Sequence, residues 1–420
     1  MTEHKKLVIG VFGFGVVGEG LYRVLQQTES LNATIKKVCI KNPDKKRNAP
    51  AELFTTEKDE LLNDKEINVI VEVIDDSNAA FDIVSTAIKN GKAVVSSSKK
   101  MIAEHLPELL SLQQQFDVPF LYEAAACASI PVIRNLEEYY DNDLLHSMKA
   151  IVNGSTNFIL TKIFDDYLTF KNALIQAQQL GFAESNPVLD VEGYDAVNKW
   201  SIILAHAYGI IVHPDNIVFT GIQNIQLSDA VVAKEKHFVI KLVAQAQKQS
   251  SGKVAAFVLP QFVSQDDHLA FVKNEYNGVV IESGFADKQF FYGKGAGSFP
   301  TASAVLSDIS ALRYDYRYEY KKLSHRTPHE LTHDFFVKFY ISFDDWKDIP
   351  KDDFESILEW HADQERKYLI GIIHFSKLVE NTWWKENNVS FILTPDPIIE
   401  SMDVRDLKKR SLELAGIFTN

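Results

Sequence analysis

Glu184, Asp190, Asp195 and Lys199 put three carboxylates and one amine into one short stretch of the chain. Asp195 and Lys199 stand four apart on one helical face, acid first, the favourable order for an ion pair. A lysine held among carboxylates and partly buried is a candidate to exchange a proton with a carbonyl oxygen. The same spacing also describes a capped helix with a surface salt bridge, which is common and weak. Three elements must position these groups: a helix ending at Gly181, a loop turned at Asn186-Pro187, and a second helix starting near Gly193.

A second constellation lies near the N-terminus. An apolar run from Lys6 to Phe12 meets Gly13-Phe14-Gly15-Val16-Val17-Gly18, and a helix follows from about Val16 to Gln26. Strand, glycine turn and helix are the context of a dinucleotide fingerprint. Gly13 allows the turn, Gly15 admits a pyrophosphate at the helix N-terminus, and Gly18 lets the helix pack on the strand. The next strand, Ile35 to Ile40, runs into Lys41-Asn42-Pro43-Asp44-Lys45-Lys46-Arg47. The acid that marks NAD preference is replaced by basic residues, Lys41 first, which suits the 2′-phosphate of NADP. Asp44 leaves NAD open, and a solvated basic loop is the plain alternative.

Strands at Asn68–Ile74, Lys92–Ser97 and Pro119–Ala125 alternate with helices at Ala79–Asn90 and Ile102–Phe116. This predicts an α/β fold with a Rossmann doubly wound parallel sheet, whose ligands bind at the carboxyl ends of strands. Ser96-Ser97-Ser98-Lys99 lies at such an end, with Lys100 as a competing amine. Further on, helices at Phe158–Asp166, Phe170–Leu180 and Ala196–Tyr208, and alternating strands around Phe219–Gln223, Ala255–Leu259, Gly278–Glu282 and Gln289–Tyr292, predict an α+β domain. From Phe335 the pattern reads strand, helix (Asp352–Trp360), strand (Tyr368–Ser376), strand.

The chain has 420 residues, which suggests two or three domains, and a formal net charge of −13, which disfavours nucleic acid and anionic membranes as partners. Cys39 and Cys127 sit in apolar surroundings and read as buried free thiols. No apolar run reaches the ~18–20 residues of a membrane span, and no secretory leader is evident, so the cytoplasm is the expected compartment.

Ala177, Gly181, Phe182, Ala183, Asn186, Pro187, Asp190, Val191, Gly193, Asp195 and Lys199 stand at the spacing of the homoserine dehydrogenase signature, and the chain resembles that family over most of residues 1 to about 325. The resemblance implies NAD(P)-dependent interconversion of L-homoserine and L-aspartate 4-semialdehyde, in threonine and methionine biosynthesis. It makes Lys199 the general acid/base, Asp195 its partner, and Glu184, Asp190, Asp195, Lys199 and Thr156 the substrate-binding residues. Thr156 belongs to Asn153-Gly154-Ser155-Thr156-Asn157, similar to a family motif at the active-site mouth. Lys99 becomes a lysine on the nicotinamide and substrate side; where the family has asparagine before it, this chain has Ser98. Gly181, and Gly297 in Gly293–Asp308, are placed beside the cofactor. Tyr122–Pro131 is similar to the family's sodium-binding segment, with Glu123, Ala126, Ala128 and Ile130 at the ligand positions and Cys127 and Ser129 in place of glycines.

The implied organisation is a nucleotide domain over 1–133 completed by about 300–328, a substrate-binding and dimerisation domain over 134–299, and a small α+β domain over 329–420 similar to ACT regulatory domains. That last domain lacks the glycine turn of an amino-acid sensor after its first strand. A homodimer or higher homo-oligomer is expected. Two rival functions remain on the sequence: a dehydrogenase or reductase of another amino-acid aldehyde, and a non-catalytic ligand sensor.

Overall fold

The computed structural model describes residues 5–142, 144–324, 328–364 and 366–402. The chain divides into two compact units. The first holds the described residues of 1–143, 198–214 and 293–328, and the second those of 144–197, 215–292 and 329–420.

The first unit opens with strand β1 (Leu7–Phe12) and helix α1 (Val16–Leu25), then β2 (Ala33–Cys39), the short β3 (Phe54–Thr55) and α2 (Asp59–Leu62). β4 (Val69–Glu72), α3 (Ser77–Lys89), β5 (Ala93–Ser96), α4 (Lys99–Phe116), β6 (Phe120–Leu121) and α5 (Val132–Glu138) complete the series. The six strands pair in parallel in the order β3-β2-β1-β4-β5-β6. β4 is buried throughout and β5 nearly so. Continuous Val/Ile runs of that kind mark strands covered on both faces. The strand order reverses between β1 and β4, so the carboxyl ends of these two strands flank the crevice where such sheets bind ligands.

The second unit begins with β7 (Leu145–Ile151) and the helices α6 (Gly154–Asp165), α7 (Phe170–Gln179) and α8 (Val188–Val191). Helix α9 (Tyr194–Tyr208) carries Asp195, in the second unit, and Lys199, whose stretch from Asn198 onward belongs to the first. There follow β8 (Val218–Phe219), α10 (Leu227–Glu235), β9 (Phe238–Lys248), β10 (Val254–Ser264), β11 (Tyr276–Ser283) and β12 (Asp287–Lys294). α11 (Ser298–Leu312) belongs to the first unit. The remaining elements are β13 (Phe336–Phe343), β14 (Phe354–Ala362), β15 (Lys367–His374), α12 (Ser376–Glu380) and β16 (Val389–Leu393).

These strands form one sheet in the order β12-β11-β7-β9-β10-β16-β13-β15-β14, with β8 beside β10. β9 and β10 are an antiparallel pair in register from Val254 opposite Lys248 to Ser264 opposite Phe238. One expectation is corrected here. The helix expected over Asp352–Trp360 is strand β14, paired antiparallel with β15. Asp352-Asp353 imitates a helix start, but the residues after it bond to a neighbouring strand, and tertiary pairing overrides local pattern. The C-terminal strands continue the same sheet. β16 joins β10 in parallel at Gln261–Leu393, and Phe257 and Leu259 of β10 share one core with Phe335, Phe339, Phe391 and Leu393. Both cysteines are free; Cys127 is buried as expected, whereas Cys39 is only half-buried.

Candidate functional site

The fingerprint turn adopts the conformation its glycines permit. Gly13 has φ of 100°, and a Cβ there would stand 2.7 Å from the Val73 carbonyl oxygen. A Cβ on Gly18 would overlap the Gly13 carbonyl, so this glycine seats α1 on the turn rather than on the strand. Gly15 faces open space, and no side chain caps the N-terminus of α1. Those amides, at the positive end of the helix dipole, suit an anion. Phe14 packs edge-on to Tyr22 and Phe54, while Val16 is exposed and Val17 half-buried. Gly297, with φ of 119°, precedes α11, and the Ser298 hydroxyl donates to the Val16 carbonyl at 2.8 Å. Ser298 crosses α1 at Gly20, a glycine that lies outside the fingerprint spacing and so gave no signal in the sequence.

Beyond β2 lies a cavity of about 520 Å³ lined by Ile40, Pro43, Lys45, Arg47, Phe54 and Thr56, among others. Arg47 donates to the carbonyls of Asn42 and Lys45, both at 2.7 Å, and its guanidinium lies over the Phe54 ring. It shapes the basic loop, and Lys45 is the other cation lining the cavity. Lys41 is exposed and outside that lining. Lys99 is the first residue of α4, directly after the carboxyl end of β5.

The Tyr122–Pro131 segment turns around a buried acid. Glu123 accepts the backbone N–H groups of Ile133 and Arg134, both at 2.9 Å, at the start of α5. Its own N–H donates to Asp308 on α11, and Arg134 donates to the other Asp308 oxygen at 2.8 Å. Burial, with the Asp308 charge adding to it, pushes Glu123 up to about 8. Burial also lifts Asp308 to about 7 in spite of Arg134. Ala126, Ala128 and Ile130 are buried, and the Ile130 carbonyl accepts from Val132. The left-handed residue in this turn is Ala128, with φ of 48°, and neither Cys127 nor Ser129. Among the described residues no group of three or more His, Cys, Asp or Glu side chains is placed to hold a metal ion.

In the second unit the centre is Asn153, the N-cap of α6. Its carbonyl oxygen accepts the Thr156 N–H at 2.8 Å, and its amide donates to Asp190 and to Asp195, both at 2.7 Å. One neutral side chain thus fixes the helix start and two carboxylates. Thr156 is buried and its hydroxyl donates to the Asn153 backbone carbonyl. Glu184 is exposed in the loop after Gly181, with its carbonyl held by Gln178. Gly181 closes α7 with φ of 77°, as its cap position predicted. Asp195 and Lys199 are only 6% and 8% exposed, which removes the reading as a surface salt bridge. Further along α9, His206 is buried in the first unit, with Nδ1 2.6 Å from Glu137 and Nε2 2.9 Å from the Tyr122 hydroxyl.

Two family models match consecutive stretches of the chain: the NAD binding domain of homoserine dehydrogenase over residues 13–123, and homoserine dehydrogenase over 131–310. The homoserine dehydrogenase of Bacillus subtilis is 34% identical over 322 residues, which are 74% of each chain. The chain belongs to the homoserine dehydrogenase family. Its fold agrees: the structure of a homoserine dehydrogenase from Thiobacillus denitrificans superposes with a TM-score of 0.81 at 27% identity, covering 93% of this chain and 99% of that one. A hyperthermophilic archaeal homoserine dehydrogenase mutant in complex with NADPH gives 0.63 at 25% identity, covering 75% and 100%. The family's activity is therefore that of an NAD(P)-dependent oxidoreductase, and the fingerprint turn lies in its NAD binding domain. No helix among the described residues is long and apolar enough to cross a membrane.

Proposed function

We propose that Lys199 is the proton carrier in the interconversion of L-homoserine and L-aspartate 4-semialdehyde, with Asp195 as its partner and a substrate ligand. The supporting observation is a buried lysine one helical turn from a buried aspartate that Asn153 orients. Bound dinucleotide supplies or accepts the hydride. Lys199 then gives a proton to the alkoxide forming at the aldehyde oxygen, or takes it back in the oxidation direction. Asp190 and Asp195, held by one amide, offer negative charge to the substrate ammonium, and Glu184 and the Thr156 oxygen extend that site. Lys99 serves the nicotinamide side, and Gly181 and Gly297 approach the cofactor. The uncapped α1 N-terminus fits a pyrophosphate, and Lys45 with the loop shaped by Arg47 fits the 2′-phosphate of NADP.

Sodium fits the Glu123 turn. Asp308 takes the Arg134 guanidinium there while Glu123 takes backbone N–H groups, and a cation held by Glu123 with the carbonyls of Ala126, Ala128 and Ile130 would balance its charge. The second unit serves substrate binding and assembly of a homodimer, and residues 329–402 support its sheet instead of sensing an amino acid. The test is oxidation of NADPH, beside NADH, with aspartate semialdehyde and a panel of related aldehydes. Turnover of another aldehyde well above that of aspartate semialdehyde would overturn the substrate assignment.

A further inference from the structure

Glu72 ends β4, level with Phe12 of β1 and Ser96 of β5, at the carboxyl edge of the parallel sheet. It is fully buried. One carboxylate oxygen accepts the Ile74 N–H at 2.7 Å, and the other accepts the Ser96 hydroxyl at 2.5 Å. Its backbone carbonyl accepts the Ser97 N–H at 3.1 Å. Ser96 Oγ in turn accepts the Ser98 N–H at 3.1 Å, and the Lys99 N–H donates to the Ser97 carbonyl at 3.0 Å. One residue thus pins the loop after β4 and the turn after β5. The neighbouring Val73 carbonyl is the atom against which Gly13 packs, so the fingerprint turn rests on the same support.

Two features set Glu72 apart from an ordinary core acid. No lysine or arginine pairs with it among the described residues; the nearby charge is Asp75, and burial raises its carboxyl to about 7. A buried acid without a cation costs stability, and hydrogen bonds to Ile74 and Ser96 are what offset that cost here. The second feature is Ser98, which stands where the family's asparagine would precede the lysine. Its side chain makes no capping bond to α4. The start of α4, and Lys99 with it, is held from Ser96 and Glu72 instead.

We infer that Glu72 is a positioning residue: through Ser96 it sets the Ser97–Lys99 turn so that Lys99 meets the nicotinamide end of the cofactor. The inference rests on the reading of Lys99 given above. Glutamine at this position keeps the size and the Ile74 bond but puts an NH2 donor where the second carboxylate oxygen stood, so the Ser96 hydroxyl can no longer donate there and must turn to accept instead.

The experiment compares full-length Glu72→Gln, Ser96→Ala, Lys99→Ala and the double variant Glu72→Gln/Lys99→Ala, recording kcat, both KM values and thermal midpoint. Glu72→Gln should remain folded and lose about 10–100-fold in kcat, with homoserine KM changed by less than about threefold. Ser96→Ala should lose a smaller factor in the same parameter. The double variant should be no slower than Lys99→Ala alone, because residues acting through one another are not additive. Wild-type turnover in Glu72→Gln, or losses that multiply in the double variant, would overturn the inference while leaving Lys99 in its role. Normal turnover in Lys99→Ala would instead overturn the reading of Lys99. If Glu72→Gln does not fold, Ser96→Ala and Ser96→Ala/Lys99→Ala decide by the same two outcomes.

Discussion

In the first unit, two buried acids accept backbone N–H groups. Glu72 holds Ile74, and Glu123 holds the start of α5. In the second unit, Asp190 and Asp195 bond instead to the side-chain amide of Asn153. Backbone donors fix loops, and burial pushes those acids toward their protonated forms. Asn153 brings no charge, so it orients two carboxylates without cancelling theirs, as a site for an ammonium group requires. The two sheets differ in the same sense. The parallel sheet gathers its loops at one edge, where the proposed cofactor site lies. The larger sheet is a platform whose C-terminal strands share a core with β10.

The largest expected effect tests that shared core. A chain ending at residue 328 loses β13 to β16, which leaves β10 with only the short β8 on one side and uncovers Phe257 and Leu259. Loss of soluble, folded protein is expected. A truncated chain that is active and as stable as the full chain would show the C-terminal strands to be a separable domain. Full-chain inhibition by millimolar L-threonine that disappears on truncation would show that segment to be a sensor.

Next in size is Lys199→Ala, expected to lower kcat by about 10²–10⁴ in both directions with cofactor affinity little changed. Near-normal turnover would leave Lys99 as the better proton carrier.

The acids of the first unit predict a pH dependence of stability. Glu72 rises to about 7 when folded, above the ordinary glutamate value. A raised folded value means that the folded chain keeps protons the unfolded chain has released. The stabilising effect is complete below the unfolded value and is lost as pH climbs through about 7. Each such carboxyl contributes a slope of up to about 1.4 kcal/mol per pH unit inside its window. Denaturant unfolding between pH 5 and 8 should show stability falling, and falling less steeply in Glu72→Gln. Parallel curves for the two proteins would contradict the raised value.

Asn153→Ala removes a cap and both bonds to the aspartates. The expected cost is about 1–3 kcal/mol in stability, with a raised KM for homoserine and an unchanged KM for NADPH. An equal rise in both KM values would mean that Asn153 is a cap and nothing more.

The parts of this organisation that were legible in the sequence are local. The fingerprint, the Val/Ile strands and the cap at Gly181 announce themselves within a few residues. Asn153 and Asp195 lie 42 positions apart and Glu123 and Asp308 185 apart, so no spacing rule joins them. β9 was missed because Lys241, Gln245 and Gln247 interrupt its apolar alternation. They are polar side chains on a strand buried along most of its length, Lys241 being held by Asn157 and the Val272 carbonyl. β14 misled because its partner β15 is what makes it a strand.

The smallest effect concerns cofactor choice and sharpens the view of the parallel sheet as a cofactor edge. Lys45 and Arg47 line the cavity beyond β2, whereas Lys41 does not. Arg47 spends two donors on loop carbonyls, so its removal disturbs the loop for either cofactor. Lys45→Ala is the cleaner probe, because an amine facing a phosphate at a solvated site contributes about 0–1 kcal/mol. NADPH should then bind up to about fivefold more weakly while NADH binding stays unchanged, and the difference should shrink at high salt. Lys41→Ala should change neither. Equal weakening for both cofactors in Lys45→Ala would mean that the loop holds the adenosine without reading its 2′-phosphate. A selective NADPH loss in Lys41→Ala would move that reading out of the cavity, to the exposed bend directly after β2.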